Sequence, residues 1–266
     1  MNGDISSQYP WLAPVVWPAI ERLKAATLDI CQGSVEFSFD DEELEKTVKK
    51  ARGSDLNDHF RLVLHELPPC RLMWIHVRDP EGATIAVVAT RLDEIEGWSL
   101  KQFLQRRVSR AIEAKGGGFA RLTDDTSEFA ANWYPNRVGY SGQGWVHKDW
   151  RRSEIGTFAT QIILLAAFER WDLDLVYGWM ESRYADRGMA TSWGAARQYR
   201  QGLSWAVEPA IEGWKDALFV GCDIGGIHSI VRDVTLRFPR IELNSSTPPR
   251  TLAASGTAEA IYGKWP

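Results

Sequence analysis

The segment that most constrains the fold is a strand, a long apolar helix and a second strand in direct succession. Val138 to Val146 reads as a strand, about Ser153 to Trp171 as a helix, and Leu175 to Met180 as another strand. In the helix Ile155, Phe158, Ala159, Ile162, Ile163, Ala166 and Ala167 recur at 3.6-residue spacing, so an apolar stripe must be buried. Asp172-Leu173-Asp174 breaks the pattern. Such a βα unit needs further strands beside it and a sheet to belong to.

Those strands are legible. Val35 to Phe39 alternates, and Leu72 to Val77 and Thr84 to Ala89 flank the turn Arg78-Asp79-Pro80-Glu81-Gly82. Ser204 to Val207 and Ala217 to Asp223 add two more, and Ile230 to Arg237 reads as a last one. Helices are expected over Val16 to Cys31, about Asp41 to Ala51, Ser99 to Lys115 before Gly116-Gly117-Gly118, and Asp186 to Arg200 before Gly202. Residues 55–70 fit no single pattern, and 119–136 read as loop. The sum is a mixed α/β (α+β) domain: an antiparallel first half of the sheet, then a βαβα unit, with helices on both faces. The expected division is an N-terminal helical and strand extension over 1–70, a core over 71–224 with an insertion at about 93–137, and a C-terminal strand and extended tail over 225–266. The polar, Pro-rich stretch from Asn244 belongs to that tail.

Composition narrows the function classes. A net charge of −4 gives no global reason to expect nucleic acid or an anionic membrane. Cys31, Cys70 and Cys222 are odd in number and far apart, so neither a disulfide framework nor a zinc motif is written here, and a reducing, cytoplasmic setting is expected. The five histidines form no ligand spacing, so no metal is expected. No basic and apolar leader opens the chain, and Phe158 to Phe168 is too short to span a bilayer. Lys101, Arg106, Arg107, Arg110 and Lys115 on the 99–115 helix are either a grip for an anionic partner or a solvated face. Thirteen tryptophans are unusual, and seven of them (Trp145, Trp150, Trp171, Trp179, Trp193, Trp205, Trp214) lie between 145 and 214.

Chemistry concentrates where the first strand meets the long helix, over Trp145-Val146-His147-Lys148-Asp149-Trp150-Arg151-Arg152-Ser153-Glu154-Ile155-Gly156-Thr157. A helix N-terminus offers free N–H groups and a positive partial charge, which suits an anion. Two arginines there oppose the helix dipole unless a phosphate sits between them. Gly156 costs about 1 kcal/mol against alanine, explained if a ligand must come close. Equally, Asp149 or Ser153 caps the helix and the arginines face water.

This segment resembles the coenzyme A loop of the GNAT-type N-acetyltransferases, R/Q-x-x-G-x-G/A. Arg151 stands at the R/Q position, Glu154 at the first glycine and Gly156 at the second, and Val146-x-Lys148-x-Trp150-Arg151 is similar to V-x-P-x-Y/F-R. Tyr199-Arg200-Gln201-Gly202-Leu203 resembles the family's close of the next helix. Glu154, Lys148 and the 45-residue insertion depart from the pattern. The resemblance implies acyl transfer from acetyl-CoA, or another acyl-CoA, to the amine of a small molecule or protein, by direct attack and without a metal. It implies that Trp145, Val146, Arg151, Arg152, Ser153, Glu154, Ile155, Gly156 and Thr157 hold the cofactor, with Gly142 to Val146 pairing with pantetheine. Tyr199 would be the acid, and Glu181 or His147 the base. Each has a bland alternative: Tyr199 packed under its helix, Glu181 a solvated strand end, His147 an ordinary loop residue. Two other functions stay open: an interaction module that has lost acetyl-CoA through Glu154, and acyl transfer from an acyl-carrier protein. A homodimer also stays open.

Overall fold

The structure is a computed structural model that describes residues 9–108, 112–200 and 202–239. Arg110, Gln201 and the tail from Asn244, all named above, lie outside the described residues. In chain order the elements are α1 (Ala13–Cys31), β1 (Ser34–Ser38), α2 (Asp41–Arg52), α3 (Leu62–His65), β2 (Leu72–Arg78), β3 (Thr84–Glu94), α4 (Leu100–Val108), β4 (Arg121–Leu122) and β5 (Arg137–Val146). Then follow α5 (Ile155–Trp171), β6 (Leu175–Glu181), α6 (Ser182–Ala185), α7 (Met189–Ser192), β7 (Arg197–Tyr199), β8 (Trp205–Val207), β9 (Ala217–Cys222) and α8 (Ile224–Arg237).

Seven strands form one sheet in the order β1-β2-β3-β5-β6-β9-β7. β1, β2, β3 and β5 are mutually antiparallel neighbours, β5 and β6 are parallel across the α5 crossover, and β9 is antiparallel to both β6 and β7. The expected antiparallel half followed by a βα crossover is what forms. β4 and β8 make a separate two-stranded sheet.

One face carries α1, α5 and α8 over a core that includes Ile75, Ile85, Ile163 and Val176. α5 is buried nearly all round, not along a stripe alone: twelve of its 17 residues are buried, because β2, β3, β5, α1 and α8 all pack on it. The opposite face holds a second core of Leu44, Phe60, Trp74, Phe103, Tyr140, Tyr177 and Phe219 under the irregular 55–70 segment and the 93–137 insertion. Within 55–70 the chain forms a 3-10 turn at Asp58–Phe60, α3, and another 3-10 turn at Pro69–Arg71.

Three expectations are corrected. Asp186 to Arg200 is not one helix: Gly188 and Gly194, both at positive φ, interrupt it, and Arg197–Tyr199 leaves to pair with β9. Ile230 to Arg237 is helical, because Asp223 caps α8 by accepting the amides of Gly225 and Gly226, and Ile227, Ile230 and Val234 bury at helical spacing. α4 does not run to Lys115: Glu113 bridges to Phe119 around the three glycines, each at positive φ. Among the described residues no helix is long and apolar enough to cross a membrane, and no group of three potential metal ligands occurs.

Candidate functional site

The centre of the sheet opens where β5 and β6, the one parallel pair among the described residues, part. β5 and β6 pair over Val138–Tyr140 and Leu175–Tyr177. At the next step the Cα of Gly178 passes Ser141 so closely that a Cβ would lie 2.6 Å from the Ser141 carbonyl oxygen. Beyond it β5 continues to Val146 paired with β3, and β6 continues to Glu181 paired with β9. A bulge in β5 sharpens the divergence: Val87 pairs with Trp145 but Ala89 with Gly142, and Gln143 takes φ 52°. His147 stands just beyond one lip of this cleft and Glu181 on the other.

Under the parting point, on the second-core face, lies an aromatic and polar cluster. His59 packs on Tyr140 at 4.8 Å and on Trp214 at 5.5 Å, Tyr140 on Tyr177 at 5.3 Å, and Trp179 on Trp214 at 6.5 Å. Beneath it Arg91 and Asp93, both fully buried, pair at 2.8 Å, and Arg91 donates to the His59 carbonyl. Arg107 reaches His65 Nδ1 at 3.4 Å and Asp93 at 4.0 Å. Burial, with Arg91 adding repulsion, pushes the His65 ring down to about 4 and holds His59 well below the ordinary histidine range, so both are neutral at pH 7. Burial raises the Tyr140 and Tyr177 phenols, which remain protonated.

The predicted cofactor residues follow β5 on the other side of the cleft. Trp145 and Val146 end the strand, Lys148–Trp150 make a 3-10 turn, and α5 starts at Ile155. Ser153 accepts from the Ile155 amide at 3.4 Å. The first intrahelical bond runs from Phe158 N–H to Glu154, so Ile155, Gly156 and Thr157 carry the amides a helix start leaves without intrahelical partners. Arg151 does not face that spot: its Nε donates back to the Val146 carbonyl at 3.2 Å. Arg152 is exposed. Gly156 is explained by packing, since a Cβ would come 2.9 Å from Val146 Cγ2. Glu154 is clipped by Arg237 at the end of α8 through two hydrogen bonds, which hold its carboxyl below the usual range. Thr157, Gln161, Thr191, Ser192 and Arg237 help to line a cavity of about 520 Å³ between α5, the 191–196 segment and α8.

The catalytic candidates are not brought together. Tyr199 sits on β7, two strands out from β6, with its ring stacked on Phe129 at 4.2 Å. It is not at a helix end, because that helix does not form. His147 Nδ1 lies 3.6 Å from the Asp149 carboxylate. Glu181 is bonded by Arg183 at 2.7 Å and abuts Gly213, the residue before Trp214. Of the basic helix, Lys101 pairs with Glu128, Arg106 covers the Trp98 ring at 4.3 Å, and Arg107 turns inward. His59, in the segment without pattern, was beyond sequence reading; its only signal is a histidine in a stretch with few neighbours to pack it.

No family model and no curated protein matches the sequence. Among solved structures the chain is similar to Arabidopsis thaliana NAA60 in complex with a bisubstrate analogue, at 14% identity and TM-score 0.38 over 73% of this chain and 99% of that one. It is likewise similar to an acetyltransferase of the GNAT family from Staphylococcus aureus Mu50, at 11% identity and TM-score 0.38 over 72% and 99%. The topology itself is four antiparallel strands, a helical crossover to one parallel neighbour, and a cleft where that pair parts, just ahead of the R-x-x-x-x-G loop. This is the arrangement that the resemblance to the GNAT-type N-acetyltransferases implies. Two features stand out around this cleft, the Glu154–Arg237 clip at the loop and the 55–70 segment packed under the cleft.

Proposed function

We propose that this protein transfers an acyl group from an acyl-CoA, acetyl-CoA first, to an amine. The observation that carries the reading is the cleft between β5 and β6, which opens directly beside the loop and the start of α5. The residues present fit acyl-CoA. Beyond Ser141 the β6-facing edge of β5 has left its strand partner, so its backbone groups can pair with an extended amide-bearing chain. The amides of Gly156 and Thr157 at the helix start suit a phosphate, and Arg237 neutralises Glu154, the carboxylate at the helix N-cap that would repel it. Acyl-CoA supplies an acyl group activated as a thioester.

The chain's own part is to position and to move protons. Glu181, on the β6 lip, is placed to take the proton from an attacking amine; His147, on the β5 lip, is the alternative base. The phenols of Tyr140 and Tyr177 lie nearer the parting point than Tyr199, but burial raises both and makes them poorer acids than an ordinary tyrosine. Loss of cofactor binding through Glu154 is the competing reading, and the Arg237 clip is the feature that argues against it.

The test is thiol release from acetyl-CoA in the presence of amine panels, read against the same mixture without protein. Amine-dependent release that falls at least tenfold in Glu181→Gln supports the assignment. No release with any short or long acyl-CoA removes the function.

A further inference from the structure

Ser141 is only half-buried although it stands at the centre of the sheet, where Gly139 and Tyr140 before it and Thr90 beside it are buried. It is the first residue of β5 beyond the pairs with β6, and it pairs with Thr90 on β3. Residues directly opposite in an antiparallel pair share a face, and Thr90 stands between Val88 and Leu92, both in the core under α5. The Ser141 side chain therefore lies on the α5 face, at the point where the strands part. Gly178, across the gap, brings no side chain to fill the space beside it.

Its hydroxyl is oriented by its neighbour. Thr90 Oγ1 lies 3.2 Å from Ser141 Oγ, and Thr90 is fully buried. A sealed hydroxyl that fails to donate costs stability, and among the described residues Ser141 Oγ is the acceptor that Thr90 reaches. Assigned this way, Thr90 spends its proton on Ser141, and Ser141 keeps its own O–H for the cleft. Among the described residues no protein group accepts that second proton.

The acyl-CoA reading fixes what arrives there. Gly156 sits against Val146, since a Cβ on it would come 2.9 Å from Val146 Cγ2. A phosphate on the Gly156 and Thr157 amides thus lies past the far end of the free edge of β5. An extended arm returning from it along residues 142–146 covers about 15 Å at a strand's rise per residue, which brings its thioester to Ser141. The tyrosines are placed elsewhere: Tyr199 is stacked on Phe129, and Tyr140 and Tyr177 belong to the core on the opposite face.

We propose that the Ser141 hydroxyl, oriented by Thr90, is the hydrogen-bond donor to the sulfur of the acyl donor as it departs. The inference rests on the acyltransferase reading. In the step the amine nitrogen bonds to the acyl carbon, the C–S bond breaks, and its electron pair stays on sulfur. The amine gives one proton to the base at the cleft lip and the thiolate takes one from water, so Ser141 keeps its proton throughout. A donor bonds a thiolate more strongly than a neutral thioester, so the contact favours the transition state over the bound substrate.

The test uses the full chain and two readouts: amine-dependent thiol release from acetyl-CoA, and the ultraviolet absorbance of bound CoA thiolate against pH. In the native chain the thiol of bound CoA should titrate about one unit below that of free CoA. In Thr90→Val/Ser141→Ala both hydroxyls go together, so no buried donor is stranded and the fold should hold. This variant should lose about tenfold or more in kcat, bind acetyl-CoA within about twofold of the native affinity, and return the CoA thiol to its free value. Ser141→Ala alone should match it in rate with a lower Tm, because Thr90 then lacks its acceptor. A native thiol titration equal to that of free CoA, or a double variant whose kcat stays within about twofold of native, overturns the proposal. A fall in kcat with an unmoved thiol titration overturns it as well and leaves Ser141 a structural residue. Those outcomes spare the acyltransferase reading. If neither acetyl-CoA nor CoA binds and no thiol is released, that reading falls and the Ser141 assignment with it.

Discussion

Gly178 shows how much one missing side chain decides. It is buried in β6 at the last step before the cleft, and a methyl there would meet a backbone oxygen at 2.6 Å, which cannot move as a side-chain tip can. Gly178→Ala should therefore destabilise the fold by about 1–3 kcal/mol despite alanine's better conformational entropy, measurable as a lower urea midpoint. Arg91 is the second such residue. Its removal in Arg91→Met strands Asp93, fully buried, without its close partner, and about 3–5 kcal/mol should be lost. The neutral histidines above them set a pH dependence. His65 has a folded value of about 4 against an ordinary 6.5, so below pH 6.5 the unfolded chain takes a proton that the folded one refuses. Stability should hold above pH 6.5 and fall progressively toward pH 4, with His59 acting in the same direction. A melting series from pH 7.5 to 4 that is flat, or that rises on acidification, contradicts this.

At the scale of elements, α8 is the one whose role was least legible. Its residues Ile230 to Arg237 alternate well enough to pass for a strand, and only the Asp223 cap and the close approach of Gly226 to Gly194 reveal the helix. The reverse holds for 186–200, where good helix formers are overruled by two left-handed glycines and by pairing of Arg197–Tyr199 with β9. By contrast β2, β3, β5, α5 and β6 stand within three residues of their expected starts, because their patterns are long and both faces are committed to core; only the end of β3 runs further. The loop at the start of α5 was legible as a segment but not in its contacts. Nothing in 145–157 announces that Glu154 meets a residue 83 positions away. The aromatic cluster under the cleft was hidden for the same reason, since His59, Tyr140, Trp179 and Trp214 come from four separate stretches. The clip makes its own prediction: Arg237→Met should weaken acetyl-CoA binding about tenfold by leaving Glu154 uncompensated. Adding Glu154→Gln should restore most of it, as isothermal titration would show. Equal affinity in all three proteins would remove Arg237 from the site.

The whole molecule is organised around one division. α1, α5 and α8 brace the sheet on one face, and the 55–70 segment with the 93–137 insertion builds the floor beneath the cleft on the other. The tryptophans divide accordingly: Trp150 and Trp171 belong to the helical face, Trp179, Trp205 and Trp214 to the cleft side, and Trp145 to the lip. A protein built this way should bind acyl-CoA before anything else is asked of it, and a ligand that binds only the folded state raises stability by mass action, about 2.7 kcal/mol at a hundred times its Kd. Thermal unfolding of the intact chain with and without millimolar acetyl-CoA is the direct measurement. A rise in Tm of several degrees that saturates with concentration, and that Gly142→Val or Arg237→Met reduces, is the predicted result. An unchanged Tm with acetyl-CoA and with longer acyl-CoAs would contradict the account.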